Sequence, residues 1–104
     1  MATGVLGQAA PAATTNTVVY TVPAATVAVV TISVANATLS PIATRVAISS
    51  SGTPAASEYI EYDTVIAPNG VLERSGIVMN ATEAVVVFAN AVGLSVSVYG
   101  YEEI

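Results

Sequence analysis

From Thr17 to the C-terminus, apolar and polar residues alternate with a period of two, and turn residues interrupt the pattern about every 8–12 residues. Few folds are compatible with that pattern. Thr17–Val22 places Val18, Tyr20 and Val22 on one face. Val27–Asn36 sets Ala28, Val30, Ile32 and Val34 against Val29, Thr31, Ser33 and Ala35, and Ile42–Ser49 turns Ile42, Thr44, Val46 and Ile48 inward with Arg45 outward. Glu58–Ile66 groups Ile60, Tyr62, Thr64 and Ile66 opposite Tyr59, Glu61, Asp63 and Val65. Val71–Met79, Ala84–Asn90 and Leu94–Tyr101 complete the set. No stretch sustains a 3.6-residue period. In Ala67-Pro68-Asn69-Gly70, proline presets φ at the second position and glycine accepts positive φ at the fourth, which predicts a type I turn with a bulge. The pattern predicts an all-β chain: one antiparallel β-sandwich of about seven to eight strands, jelly-roll or immunoglobulin-like.

The domain is expected to span residues 17–104. Residues 1–16 (MATGVLGQAAPAATTN) are small and neutral, with Val5 and Leu6 the only sizeable apolar pair, and read as an extended, flexible N-terminal arm. Several strands are apolar on both faces, notably Thr26–Ala35 and Ala84–Ala89. A two-layer sandwich buries one face of each sheet, so the other face needs a cover, and without lysine gatekeepers the edges are an aggregation hazard. A homo-oligomer (trimer or dimer), or docking on a larger assembly, answers both problems.

The chemistry open to the chain is narrow. It has no histidine, cysteine, lysine or tryptophan, and its cations are Arg45 and Arg74. General bases, thiols, transition-metal ligands and imine chemistry draw mostly on the missing types. No serine or threonine has a histidine to activate it. No enzyme activity and no cofactor are therefore expected. With a net charge of −5 and two arginines, nucleic acid is not an expected partner. Hydrophobic residues reach 54% and charged residues only 9%, which raises the question of a membrane. Yet Pro11 and Pro23 interrupt the uncharged stretch Met1–Thr44, and no window supplies the roughly 20 apolar residues of a spanning helix. The first residues also lack a basic region followed by an apolar block, so no secretory leader is expected.

Glu61 and Asp63, two apart beside Tyr59, are the nearest approach to an acid–base or calcium site. A calcium loop and a deep aromatic cleft are both missing from the sequence, and a solvated strand face accounts for them better. Arg45 and Arg74 are candidates to pair with these carboxylates or with a partner's, fixing register through bidentate contacts. Asn36-Ala37-Thr38 and Asn80-Ala81-Thr82 fit the glycosylation pattern but read as turn residues.

Nearly the whole chain, from about Gly4 to Glu103 and including residues 13–36, 44–89 and 94–103, resembles a group of small structural proteins of tailed bacteriophages, many from marine and cyanobacterial phages. The most specific pieces are Val19-Tyr20-Thr21-Val22-Pro23, Glu58-Tyr59-Ile60-Glu61-Tyr62-Asp63 and Asn69-Gly70-Val71-Leu72-Glu73-Arg74. Relatives often carry Gly-Lys after that proline, where this chain has Ala24-Ala25. The resemblance implies a β-sandwich virion component, assembled in the host cytoplasm and without enzymatic activity. The expected function is capsid decoration: binding and stabilising the lattice of the major capsid protein, or of another virion structural protein. A tail, neck or fibre module and a carbohydrate-binding host-recognition module are the alternatives. In the decoration reading Val5 and Leu6 anchor the arm on the partner, while Arg45, Glu61, Asp63 and Arg74 supply polar contacts.

Overall fold

A computed structural model describes residues 2–104. Its strands are β1 (Thr3–Ala9), β2 (Thr17–Thr21), β3 (Val27–Asn36), β4 (Ile42–Ser49), β5 (Tyr59–Ile66), β6 (Val71–Met79), β7 (Ala84–Ala89) and β8 (Leu94–Glu103), with one 3₁₀ turn at Ala56–Glu58. Every strand pairing is antiparallel, and the strands form two four-stranded sheets in the orders β1-β8-β3-β6 (sheet 1) and β2-β7-β4-β5 (sheet 2). The all-β prediction holds, and the alternation locates β3, β4 and β6 to the residue. No helix is long and apolar enough to cross a membrane among the described residues.

The core lies between the sheets. Ala28, Val30, Ile32 and Val34 from β3 and Val96 and Val98 from β8 meet Ile42, Val46, Val85 and Val87 from sheet 2. β-branched side chains suit this interface because their fixed χ1 costs little in extended backbone.

The bulges distinguish the edges from the centre. The central pairs β3–β8 and β4–β7 run without a register shift, while each of the four pairings that involve an edge strand (β1, β6, β2 and β5) contains at least one, and β4–β5 two. A bulge twists an edge and spoils it as a template for another strand. The chain thus blunts its edges by backbone geometry where other sandwiches use lysine.

These bulges also account for the differences from simple alternation. The shift between Val18 and Tyr20 leaves Val18 exposed and turns Val19 toward the core, so Val18, Tyr20 and Val22 do not share one face. Within β5, Asp63 adopts φ 54°, and pairing passes from Thr44–Thr64 to Val46–Glu61. Tyr62 therefore faces solvent instead of lying with Ile60 and Ile66. At Ala67–Gly70 the positive φ belongs to Asn69 (59°), and the Gly70 N–H donates to Ala67 O at 2.8 Å. That is the pattern of a type II turn, with asparagine at its third position.

The largest departure is at the N-terminus. Thr3–Ala9, expected as part of a flexible arm, is strand β1, paired with β8 from Thr3–Tyr101 to Ala9–Val96. Ala13 bridges to Ala89 beyond it. Sequence periodicity is weak here because Gly4 and Gly7 stand where side chains would mark the faces; the backbone ladder and Leu6 supply the order instead.

Gly100 fixes the approach of β8 to β3. Its φ is 154°, and a Cβ there would lie 2.0 Å from the backbone oxygen of Val29. Gly100→Ala is expected to destabilise the domain by about 1–3 kcal/mol, read as a lower melting temperature. An unchanged melting temperature would contradict this packing.

A candidate association surface

Six of the seven carboxylates act as structural ties. Glu61 and Asp63 do not share a face as expected, because the β5 bulge sends them to opposite sides. Asp63 joins Arg45 on the outer face of sheet 2, where the Arg45 Nε–H donates at 2.6 Å. The Arg45 guanidinium also lies over the rings of Tyr62 (4.2 Å) and Phe88 (4.7 Å). The hydrogen bond to Arg45 holds the Asp63 carboxyl below its ordinary range. Glu61 turns inward and accepts from Arg74 of β6 and from the Thr64 hydroxyl. Since β5 and β6 edge different sheets, this ion pair clasps one side of the sandwich. The four polar residues expected to contact a partner are thus brought together as two pairs within the chain.

Two further ties go beyond the sequence reading, which takes Asn36 only as a turn residue and assigns Glu102 no role. Glu102 on β8 accepts from the Tyr20 hydroxyl on β2 and from the Ala2 N–H (3.1 Å), closing the opposite side. Burial first, and then the bond to Glu102, push the Tyr20 hydroxyl well above its ordinary pKa. The protonated phenol is the form favoured in the folded state, so its contribution is complete below about pH 10 and is lost as pH rises beyond that. Tyr20→Phe is expected to cost about 1.5–3 kcal/mol near neutrality and to flatten the alkaline fall in stability. A pH–stability curve parallel to wild type above pH ~10 would count against the tie. The other tie, Asn36 at the end of β3, is 2% exposed, and its Nδ2 donates to Ser40 O and Ile66 O. Both amide hydrogens are engaged, so the first glycosylation pattern is inaccessible in the fold. No signal in the sequence separates Asn36 from Asn80, since burial alone makes the difference.

The outer faces of the two sheets differ. Sheet 2 covers much of its own: Ala47, Ala84 and Val86 are buried there beneath Tyr59. The β4–β5 loop crosses this face, bringing Gly52 against Val18. Glu58 pins the loop by accepting from the Ala55 N–H (2.9 Å) and the Ser50 N–H (3.1 Å), contacts that hold its carboxyl below the ordinary range. The near-complete burial of β7, where Phe88 alone is partly open, thus has an internal cause.

Among the described residues sheet 1 has no such cover. Its outer face carries rows set by strand register: Thr3, Tyr101, Val29 and Val78 in one, and Val5, Tyr99 and Thr31 in the next. Val5 is 63% and Val78 66% exposed, with Val27, Tyr99 and Tyr101 also open. Glu73 and Glu103 are its charged groups, and Glu73 accepts from the Tyr99 hydroxyl at 3.1 Å. Val5 belongs to this face, whereas Leu6, the extra residue of the β1 bulge, packs on the core. The expected pair of arm anchors is therefore split between outside and inside.

Comparison with models of known protein families, with curated proteins and with solved structures finds no match. The reading of function rests on the residues and their arrangement.

Proposed function

We propose that this chain is a non-enzymatic virion structural protein of a tailed bacteriophage, a decoration protein that docks on the major capsid lattice and stabilises it. The observation that carries the reading is the uncovered outer face of sheet 1, where Val5, Val27, Val78, Tyr99 and Tyr101 are exposed and no described residue places a cation. Patches of this kind mark association sites. Sheet 2 shields the middle of its outer face and leaves Val18, Tyr62 and Val65 open on its two edge strands, the four edges are bulged, and six carboxylates are engaged in the fold; the outer face of sheet 1 is the more open surface for a partner. The bacteriophage assignment adds the resemblance drawn from Val19–Pro23, Glu58–Asp63 and Asn69–Arg74.

The strand order supports a jelly roll. Two sheets of four in the orders β1-β8-β3-β6 and β2-β7-β4-β5 fit the eight-stranded, double Greek-key plan found among capsid and lectin domains. An immunoglobulin-like constant domain divides its seven strands four and three.

The acidic rim of Glu73 and Glu103 favours a complementary seat, an apolar patch on the shell bordered by arginine or lysine. A sugar-binding reading draws less support. Arg45 already stacks on the ring of Tyr62, and Tyr59 meets that ring edge-on at 4.9 Å, which uses the surface a pyranose would stack on.

Co-sedimentation with purified shells that lack the protein tests the reading. Binding that saturates at a fixed ratio to capsid subunits is expected. Failure to bind shells, together with selective capture on a glycan array, would move the assignment to host recognition.

A further inference from the structure

We infer that β1 is an exchangeable strand: residues 2–13 of one copy can occupy the β8 edge of a second copy, producing a strand-swapped dimer. The inference concerns the chain's own association and holds whether or not the partner is a viral shell.

The first observation is the hinge. Residues 14–16 (Thr14, Thr15 and Asn16) are all exposed, and they alone connect the Ala13–Ala89 bridge to the start of β2. Thr14 sits at φ 54°, a left-handed conformation that crowds a β-branched side chain. Hydrogen bonds from the Thr14 N–H to Ala89 O (2.7 Å) and from the Thr14 hydroxyl to Ala13 O (2.7 Å) hold it there. Opening the hinge to extended backbone removes the strain and points β1 away from its own sandwich. Short hinges under strain favour exchange.

The second observation is the shallow seating of β1. None of its seven residues is fully buried, and Leu6 is the side chain it packs on the core. It is held chiefly by its ladder to β8, with added bonds at Ala2–Glu102 and Gln8–Ser97 and, beyond the strand, the buried Pro11. A strand from a second copy remakes each of these, so the closed and swapped forms differ mainly at the hinge. Beneath β1, β8 is straight, pairing ten residues with β3 without a shift, and a vacated edge of that kind demands a strand.

The third observation selects the occupant. A Cβ at Gly7 would lie 2.3 Å from the Val19 carbonyl oxygen, and Gly4 stands opposite Gly100. The seat therefore admits a strand with glycine at position 7 for want of space, and favours glycine at position 4, where φ is 109°. A second copy of β1 supplies both, which a strand of arbitrary sequence does not.

The chain has no cysteine, which makes the test clean. Gln8 and Ser97 are register partners. Chains carrying Gln8→Cys and chains carrying Ser97→Cys are mixed, unfolded, refolded together at high concentration and mildly oxidised. A disulfide joining position 8 of one chain to position 97 of the other is expected, together with a dimer seen by light scattering in refolded wild type. Thr14→Gly relaxes the hinge in the closed form and is expected to reduce the dimer population about tenfold. Three results would overturn the inference: a wild type that stays monomeric at every concentration, a dimer that gives no 8-to-97 bond, and a dimer population insensitive to Thr14→Gly.

Discussion

Asn36→Ala is expected to lower the melting temperature by about 10–25 °C, the largest stability loss foreseen for a single polar residue in this chain. The side chain makes four hydrogen bonds from a position that is 2% exposed: its Nδ2 donates to Ser40 O (2.8 Å) and Ile66 O (3.0 Å), and its Oδ1 accepts from the Thr38 N–H (3.0 Å) and hydroxyl (2.6 Å). These contacts join the end of β3, the β3–β4 loop and the end of β5, so one amide fixes both sheets at one end of the sandwich. Truncation leaves buried carbonyls without donors, at a cost of about 1–3 kcal/mol for each group that water cannot reach. A total of about 2–4 kcal/mol, at roughly 4–8 °C per kcal/mol for a domain of this size, gives the expected shift. Asn36→Asp keeps the acceptor but loses both donors and buries a charge, so it is expected to be at least as damaging. Melting curves of both variants that overlay wild type would remove Asn36 from its role as a staple.

The second large effect concerns binding. Val29 sits at the centre of the open face of sheet 1, with Val78 and Tyr101 as its cross-strand neighbours. Val29→Glu is expected to weaken shell binding about 100-fold or more, because docking would bury an unpaired carboxylate. The unbound domain is expected to keep nearly the stability of wild type, since the new charge then faces water. The same substitution at Val65, exposed on β5 of the other sheet, is expected to leave binding near wild type. Equal loss from both variants would point to net charge as the cause; loss from Val65→Glu alone would place the contact on sheet 2.

Much of the fold was legible because the inner residues of β3, β4 and β8 obey a strict period of two, and a slip by one residue would turn every valine to water. The bounds of β3, β4 and β6 are set by turn residues at both ends, which is why they could be read to the residue. Bulges defeated the same logic within β2 and β5. A bulge inserts one residue without changing composition, and the residue that reveals it, Asp63 at positive φ, looks in sequence like any other polar strand residue. β1 reads as an arm because its glycines erase the alternation, although Gly7 is what its close seat on Val19 requires and Gly4 holds a φ of 109° that favours glycine.

The site was legible in part. Arg45, Glu61, Asp63 and Arg74 stood out by rarity, and scarce charges in an aliphatic chain do have defined partners. Those partners lie within the chain, a consequence of the inter-sheet geometry that no spacing reveals. The two-sided apolar pattern calls for a cover over β3 and β7 alike. For β7 the β4–β5 loop and Tyr59 supply it, and for sheet 1 none of the described residues does. The Glu102–Tyr20 tie left no mark in sequence beyond a carboxylate in an otherwise inward-facing position.

The most direct measurement is an image of whole phage particles at subunit resolution, with the copies of this chain counted against the major capsid protein. The account predicts many copies at symmetry-related lattice sites, each with Val29, Val78 and Tyr101 turned toward the shell. A few copies confined to a tail or fibre, or copies resting on sheet 2 with sheet 1 bare to solvent, would contradict it.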